Sequence, residues 1–260
     1  MNGHHGATVG PLLLVPLVAF WVYLAAALRE RDAGRGGWSH RRTASFGAGT
    51  ALLAVAVHVP GHDLVGHMWQ HLLVGMLAPL GLVLGAPGTL ALRVLDRRRG
   101  RAIVRALRCP GARMVAHPVT GLLLTAGGLY ALHLTPLHRA SLDHPPLHTL
   151  ALAHFLASGY LFTWAIAGPD PGPHRPAVPV RLAVLGVSVA AHATLAQLMY
   201  AGLVDTAATV AQTRTAATLM YYVGDLAELL LALAVLVTWR PAHRRPVNPG
   251  VPARSGPVRA

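Results

Sequence analysis

The chain has 260 residues, 53% of them hydrophobic and only 12% charged, so once long uncharged stretches are assigned to membrane spans no sizeable soluble domain remains. The formal net charge of +13 comes from 22 basic residues that are all arginine and sit in alternate loops, a distribution that serves topology and anionic lipid rather than nucleic acid. Lysine is absent, which excludes a retinal protein dependent on a Schiff base, and the single cysteine, Cys109, excludes an internal disulfide.

Met1 to Gly10 carries no basic residue, unlike a secretory leader, so the first apolar stretch is expected to remain as a span. In chain order the hydropathy pattern predicts seven transmembrane helices, at residues 10–28, 43–59, 66–86, 114–135, 147–167, 179–203 and 215–239. The fold class is therefore all-α, a polytopic seven-helix bundle over residues 1–240. The Pro- and Arg-rich tail, 241–260, is expected to be disordered. Between the third and fourth spans, Arg93–Arg108 reads as a basic amphipathic helix on the membrane surface.

Arginine also sets the orientation. Five arginines lie in the first connection, eight between Arg93 and Arg113, Arg175 and Arg181 in the fifth connection, and five in the tail; only Arg139 and Arg214 fall on the other side. The positive-inside rule then places the N-terminus outside and the C-terminus in the cytoplasm of a cell whose plasma membrane the chain crosses.

Twelve of the 16 histidines fall outside, at outer helix ends, or within the fifth and sixth helices. An imidazole in or near hydrocarbon is costly without a partner, and a one-sided collection of them points to metal. His67 and His71, four residues apart, share one helix face and suit two ligands of one ion. His58 and His133, at neighbouring helix ends, are candidates to complete the shell. His148 opens the fifth helix and His154 lies about 9 Å deeper along it, more than a turn away.

His192 and Met199 form one stripe of the sixth helix, open equally to a metal role or to interhelical packing. On the seventh helix Asp225 and Glu228, three apart and preceded by Tyr222, place two carboxylates on one face within an apolar run. Such acids face a bundle interior and can orient metal-bound imidazoles, accept protons, or lock the helix through a buried pair. Imidazole with thioether favours copper.

The segment His67-Met-Trp-Gln-His71 continuing to Met76, Pro79, Gly85 and Pro87 resembles the third helix of the bacterial CtaG-type cytochrome c oxidase assembly family. Further stretches are similar to it: His133-Leu-Thr-Pro136, His148 through Trp164, Gly168-Pro-Asp-Pro171, His192-Ala193, and Leu219 through Glu228, the last resembling its actinobacterial branch. Two departures stand out. Leu137-His138 follows the proline where many relatives carry an aromatic residue, and His148 and His154 lie farther apart than the corresponding histidines of many relatives.

The resemblance implies a non-enzymatic role in maturing haem–copper oxidase, with copper bound or delivered at the outer face. It implies oxidase subunits and a copper chaperone as partners. The alternatives are a copper transporter or a haem-binding redox protein. Haem is disfavoured because His117 and His133 stand about 24 Å apart on one helix and no second helix repeats the pair. A zinc hydrolase is disfavoured because no glutamate base stands within His67-x-x-x-His71.

Overall fold

The apolar periodicity of the chain resolves into helices throughout: the computed structural model describes residues 5–33, 37–61, 63–172 and 175–238, and among the described residues there is no strand. The helices run α1 (His5–Asp32), α2 (His40–His58), α3 (Leu64–Leu72), a π-helical turn (Leu73–Leu77), α4 (Ala78–Leu84), α5 (Pro87–Val94), α6 (Arg97–Leu107), α7 (Pro110–Val115), α8 (Pro118–Leu134), α9 (Leu137–Asp143), α10 (Pro145–Ala167), α11 (Val178–Tyr200) and α12 (Val210–Thr238). The predicted tail, 241–260, lies outside the described residues.

Among the described residues, five helices are long and apolar enough to cross a membrane: Leu13–Asp32, Leu64–Leu84, Pro145–Ala167, Val178–Tyr200 and Val210–Thr238. The other two predicted spans are helices of a different grade. The predicted span at 114–135 divides, because the Nδ1 of His117 accepts from Val119 N at 3.3 Å and caps α8 beside Pro118, leaving an apolar helix of 17 residues, Pro118–Leu134. Helix α2 has 19 residues but is diluted by small and polar side chains.

The third span starts sharply, with the Asp63 carboxylate accepting from Gly66 N at 2.8 Å. It is continuous from Leu64 to Leu84 but widens into the π turn directly after His71. Such turns recur at functional sites, where they re-aim side chains. The arginine-rich stretch expected to be amphipathic forms α6, capped by Asp96 accepting from Arg99 N at 2.8 Å and presenting no buried residue.

Small residues set the packing. Gly49 on α2 and Gly81 on α4 abut backbone to backbone, and Gly159 on α10 lies against the carbonyl of Gly75 in the π turn. Around these crossings α3, α8, α10, α11 and α12 bury Met68, Leu72, Leu129, Leu132, Leu195, Met199 and Met220 in one core. The outward faces are apolar as well, with Trp21, Leu123, Leu229 and Val237 all exposed. Exposed apolar surface on that scale suits lipid, not water.

Candidate metal centre

Helix α3 carries His67 and His71 one turn apart, both buried, and gives them different neighbours. The His67 ring lies 5.0 Å from His138 on α9, 5.4 Å from His148 at the start of α10, and 6.4 Å from His133 at the end of α8, centroid to centroid. His133 and His138 stack at 5.6 Å. His71 instead meets Phe155 of α10 at 4.5 Å and His192 of α11 at 6.3 Å.

Two imidazoles binding one ion through nitrogens about 2.0 Å away hold their centroids about 5 Å apart at a tetrahedral angle and about 6.4 Å apart when opposed. The quartet His67, His133, His138 and His148 spans that range. Among the described residues, no group of three or more His, Cys, Asp or Glu side chains is placed to hold a metal ion as the side chains stand.

The quartet's chemistry is unusual for a buried cluster. Both ring nitrogens of His67, both of His138, and Nε2 of His133 are buried with no hydrogen-bond partner. Leaving a buried polar atom unsatisfied costs about 1–3 kcal/mol, so protein interiors seldom contain several together. The Nδ1–H of His133 donates to the Leu129 carbonyl at 3.0 Å, which leaves the Nε2 lone pair directed away as a potential ligand.

Gln70 braces the neighbouring ring. Its amide donates to the Val59 carbonyl at 2.9 Å, and its Oε1 accepts from His148 Nε2 at 2.9 Å. Burial and the nearby His148 hold His138 below the ordinary imidazole range, keeping it in the neutral form that binds metal.

The remaining sequence candidates separate. His58 is exposed at the end of α2, its Nδ1 on the Ala54 carbonyl at 2.9 Å, and touches none of the clustered rings. His154 turns towards α8, where Nε2 meets the Leu124 carbonyl at 3.1 Å above Gly128. Met199 is packed within the apolar core beside Met68 and Met220. Tyr222 points outward at 69% exposure.

Glu228 is buried and accepts from Ser188 Oγ at 2.9 Å, while Asp225, half-buried, keeps Oδ1 buried and unpartnered. His192 seats its ring against Gly224 of α12, where a side chain would collide with it. His138 was not among the sequence candidates, although it sits in the middle of the cluster. It lies five residues after His133 across a proline turn, a spacing that no regular helix face reveals; its signal in the sequence was its place among the twelve histidines on the outer side.

The family model of the cytochrome c oxidase caa3 assembly factor (Caa3_CtaG) matches residues 21–242. The chain belongs to that family. Among curated proteins it is similar to an uncharacterized protein of Mycobacterium bovis, 34% identical over 186 residues, which cover 65% of this chain and 27% of the relative. An uncharacterized protein of Mycobacterium leprae is 32% identical over 189 residues, covering 66% of this chain and 28% of the relative. The chain spans little more than a quarter of the length of these relatives, and their mycobacterial source agrees with the actinobacterial branch expected from the sequence. No solved structure matches it.

Proposed function

We propose that the chain is a seven-span plasma-membrane assembly factor, N-terminus outside and C-terminus cytoplasmic, that holds copper on outward-facing histidines for delivery to a haem–copper oxidase. Family membership supports the oxidase assignment. The observation that carries the copper assignment is the group of His67, His133 and His138, all buried, beside the half-buried His148, with unpartnered nitrogens on the three buried members. Neutral imidazoles suit copper, and copper arrives as cargo rather than as a resident cofactor.

On this reading the protein itself catalyses no bond rearrangement. His67 comes from the third span, His133 from the last turn of α8 and His138 from the first turn of α9. Oxidase subunits receive the ion, a copper chaperone is the natural donor, and anionic lipid contacts the arginines of α6.

The test is copper content of the purified protein beside copper in the oxidase. A His67→Ala/His138→Ala variant that still inserts should lose the copper held by the quartet and leave the oxidase copper-poor at unchanged total cell copper. Normal copper in both would overturn the assignment. Net copper flux in sealed vesicles would favour transport, and a haem spectrum would favour the redox reading.

A further inference from the structure

Beneath the outer quartet lies a partly open cavity of about 60 Å³, lined by residues that include His71, Ser188, His192 and Glu228. Water needs roughly 10–15 Å³ of such space per molecule, so the cavity has room for an ion together with water. Most of its wall is apolar, from Leu129, Phe162 and Leu231 among others. Three donor atoms on that wall nonetheless have no partner: Nδ1 of His71, Nε2 of His192 and Oε2 of Glu228, on side chains that are all at least nine-tenths buried.

We propose that this cavity is a second cation station, distinct from the outer quartet, in which His71, His192 and the Glu228 carboxylate hold one soft monovalent cation, copper(I). The proposal rests on the reading that the chain handles copper. The His71 and His192 centroids, 6.3 Å apart, match the separation of about 6.4 Å for two imidazoles opposed across one ion. Two neutral imidazoles supply soft nitrogen donors, and one carboxylate cancels a single positive charge.

That balance matters at this depth, because an uncompensated charge within the membrane is expensive. A divalent ion would leave the station net positive. Ser188 donates to Oε1 of Glu228, which leaves the remaining oxygen, Oε2, buried and without a partner on the cavity wall. Gly75, one turn beyond His71, and Gly224, against His192, keep both rings free of side chains that would displace them.

The experiment is anaerobic titration of the full-length purified protein with copper(I) against a chromophoric chelator. Wild type is expected to take up two ions per chain. Glu228→Gln and His192→Asn should each take up one, as should His67→Leu for the opposite reason, and the His67→Leu/Glu228→Gln combination none. Ser188→Ala, the mildest change, should keep two ions while weakening one of them about tenfold; it serves where the stronger variants fail to fold.

A wild-type uptake of one ion, unchanged in Glu228→Gln and Ser188→Ala but lost in His67→Leu, overturns the inner station and leaves the outer site standing. Loss of both ions in a folded Glu228→Gln variant overturns the independence of the two stations. Uptake of none by wild type overturns the inner station and the copper reading together.

Discussion

At the start of α5, the buried carboxylate of Asp170 accepts from Gly88 N at 2.8 Å and from both the backbone N and the hydroxyl of Thr89 at 2.6 Å, while Arg175 donates to its main-chain carbonyl at 2.7 Å. Nearby, Tyr23 donates to the Gly85 carbonyl at 2.7 Å and accepts from Trp38 Nε1 at 2.9 Å. At the opposite end of the bundle, His67 is wholly buried with neither ring nitrogen engaged, and His138 is in the same condition. The first region shows that this chain satisfies buried polar groups when their task is to hold helices together; of that neighbourhood only the Nε of Arg181 is left unpaired. The second therefore reads as a site kept open for an added partner, with stability given up to keep it so.

Replacing each region's central residue should separate the two roles. His67→Leu should abolish binding of the outer copper ion, yet the metal-free variant should unfold no more readily than metal-free wild type. An apolar side chain of similar size removes two unsatisfied nitrogens, worth about 1–3 kcal/mol each, and so offsets what packing is lost. Thermal denaturation with and without copper(I) checks this; a variant that is less stable without metal and still binds it would erase the contrast.

Asp170→Ala should do the reverse. Deleting the carboxylate leaves Gly88 N and Thr89 N without acceptors and should cost about 2–4 kcal/mol of stability, with copper affinity of the folded fraction unchanged.

How much of this was legible beforehand depends on which physical signal carries each feature. Long apolar helices announce themselves by length, and α10, α11 and α12 lie within a few residues of their predicted limits. The division at Ala116–Pro118 was hidden by a hydrophobic pattern that continues across it. The π turn was hidden too, since Leu73–Leu77 is indistinguishable by composition from ordinary helix. In the site, the i, i+4 pair His67 and His71 was conspicuous, but periodicity gives only a shared face and not what that face meets. Packing decided that His67 joins α8, α9 and α10 while His71 joins α11. His154 and His58 look equivalent to the clustered histidines in sequence, yet His154 turns to the Leu124 carbonyl of α8 and His58 stays exposed at the end of α2.

Smaller effects should follow from the supports of each region. Gln70→Ala removes the brace of His148 without touching a proposed ligand, and should weaken the outer copper about tenfold by chelator competition while leaving the inner stoichiometry alone. An unchanged affinity would mean that Gln70 serves only the Val59 carbonyl.

The weakest effect is expected where α9 is tied to the α11–α12 connection, through Arg139 donating to both oxygens of Asp205 at 2.7 and 2.8 Å. Hydrogen bonding from Ala207 N and Arg139, together with the Arg139 charge, holds the Asp205 carboxyl below its ordinary 3.8. A carboxyl depressed in the fold contributes stability that is present above 3.8 and lost as pH falls through its lowered value. The tether should therefore be intact at neutral pH, and Arg139→Gln should speed copper release there slightly, by freeing the helix that bears His138. Because the pair is solvent-exposed, high salt should mimic the substitution.

The most direct test of the central claim is X-ray absorption at the copper edge of protein loaded with one equivalent of copper(I), wild type beside His67→Leu/His138→Leu. The account predicts a wild-type first shell of nitrogen only, with the outer-shell scattering of several imidazoles, and a double variant whose remaining copper has fewer imidazoles and an oxygen neighbour. A first shell dominated by sulfur, or identical spectra from the two proteins, would contradict it.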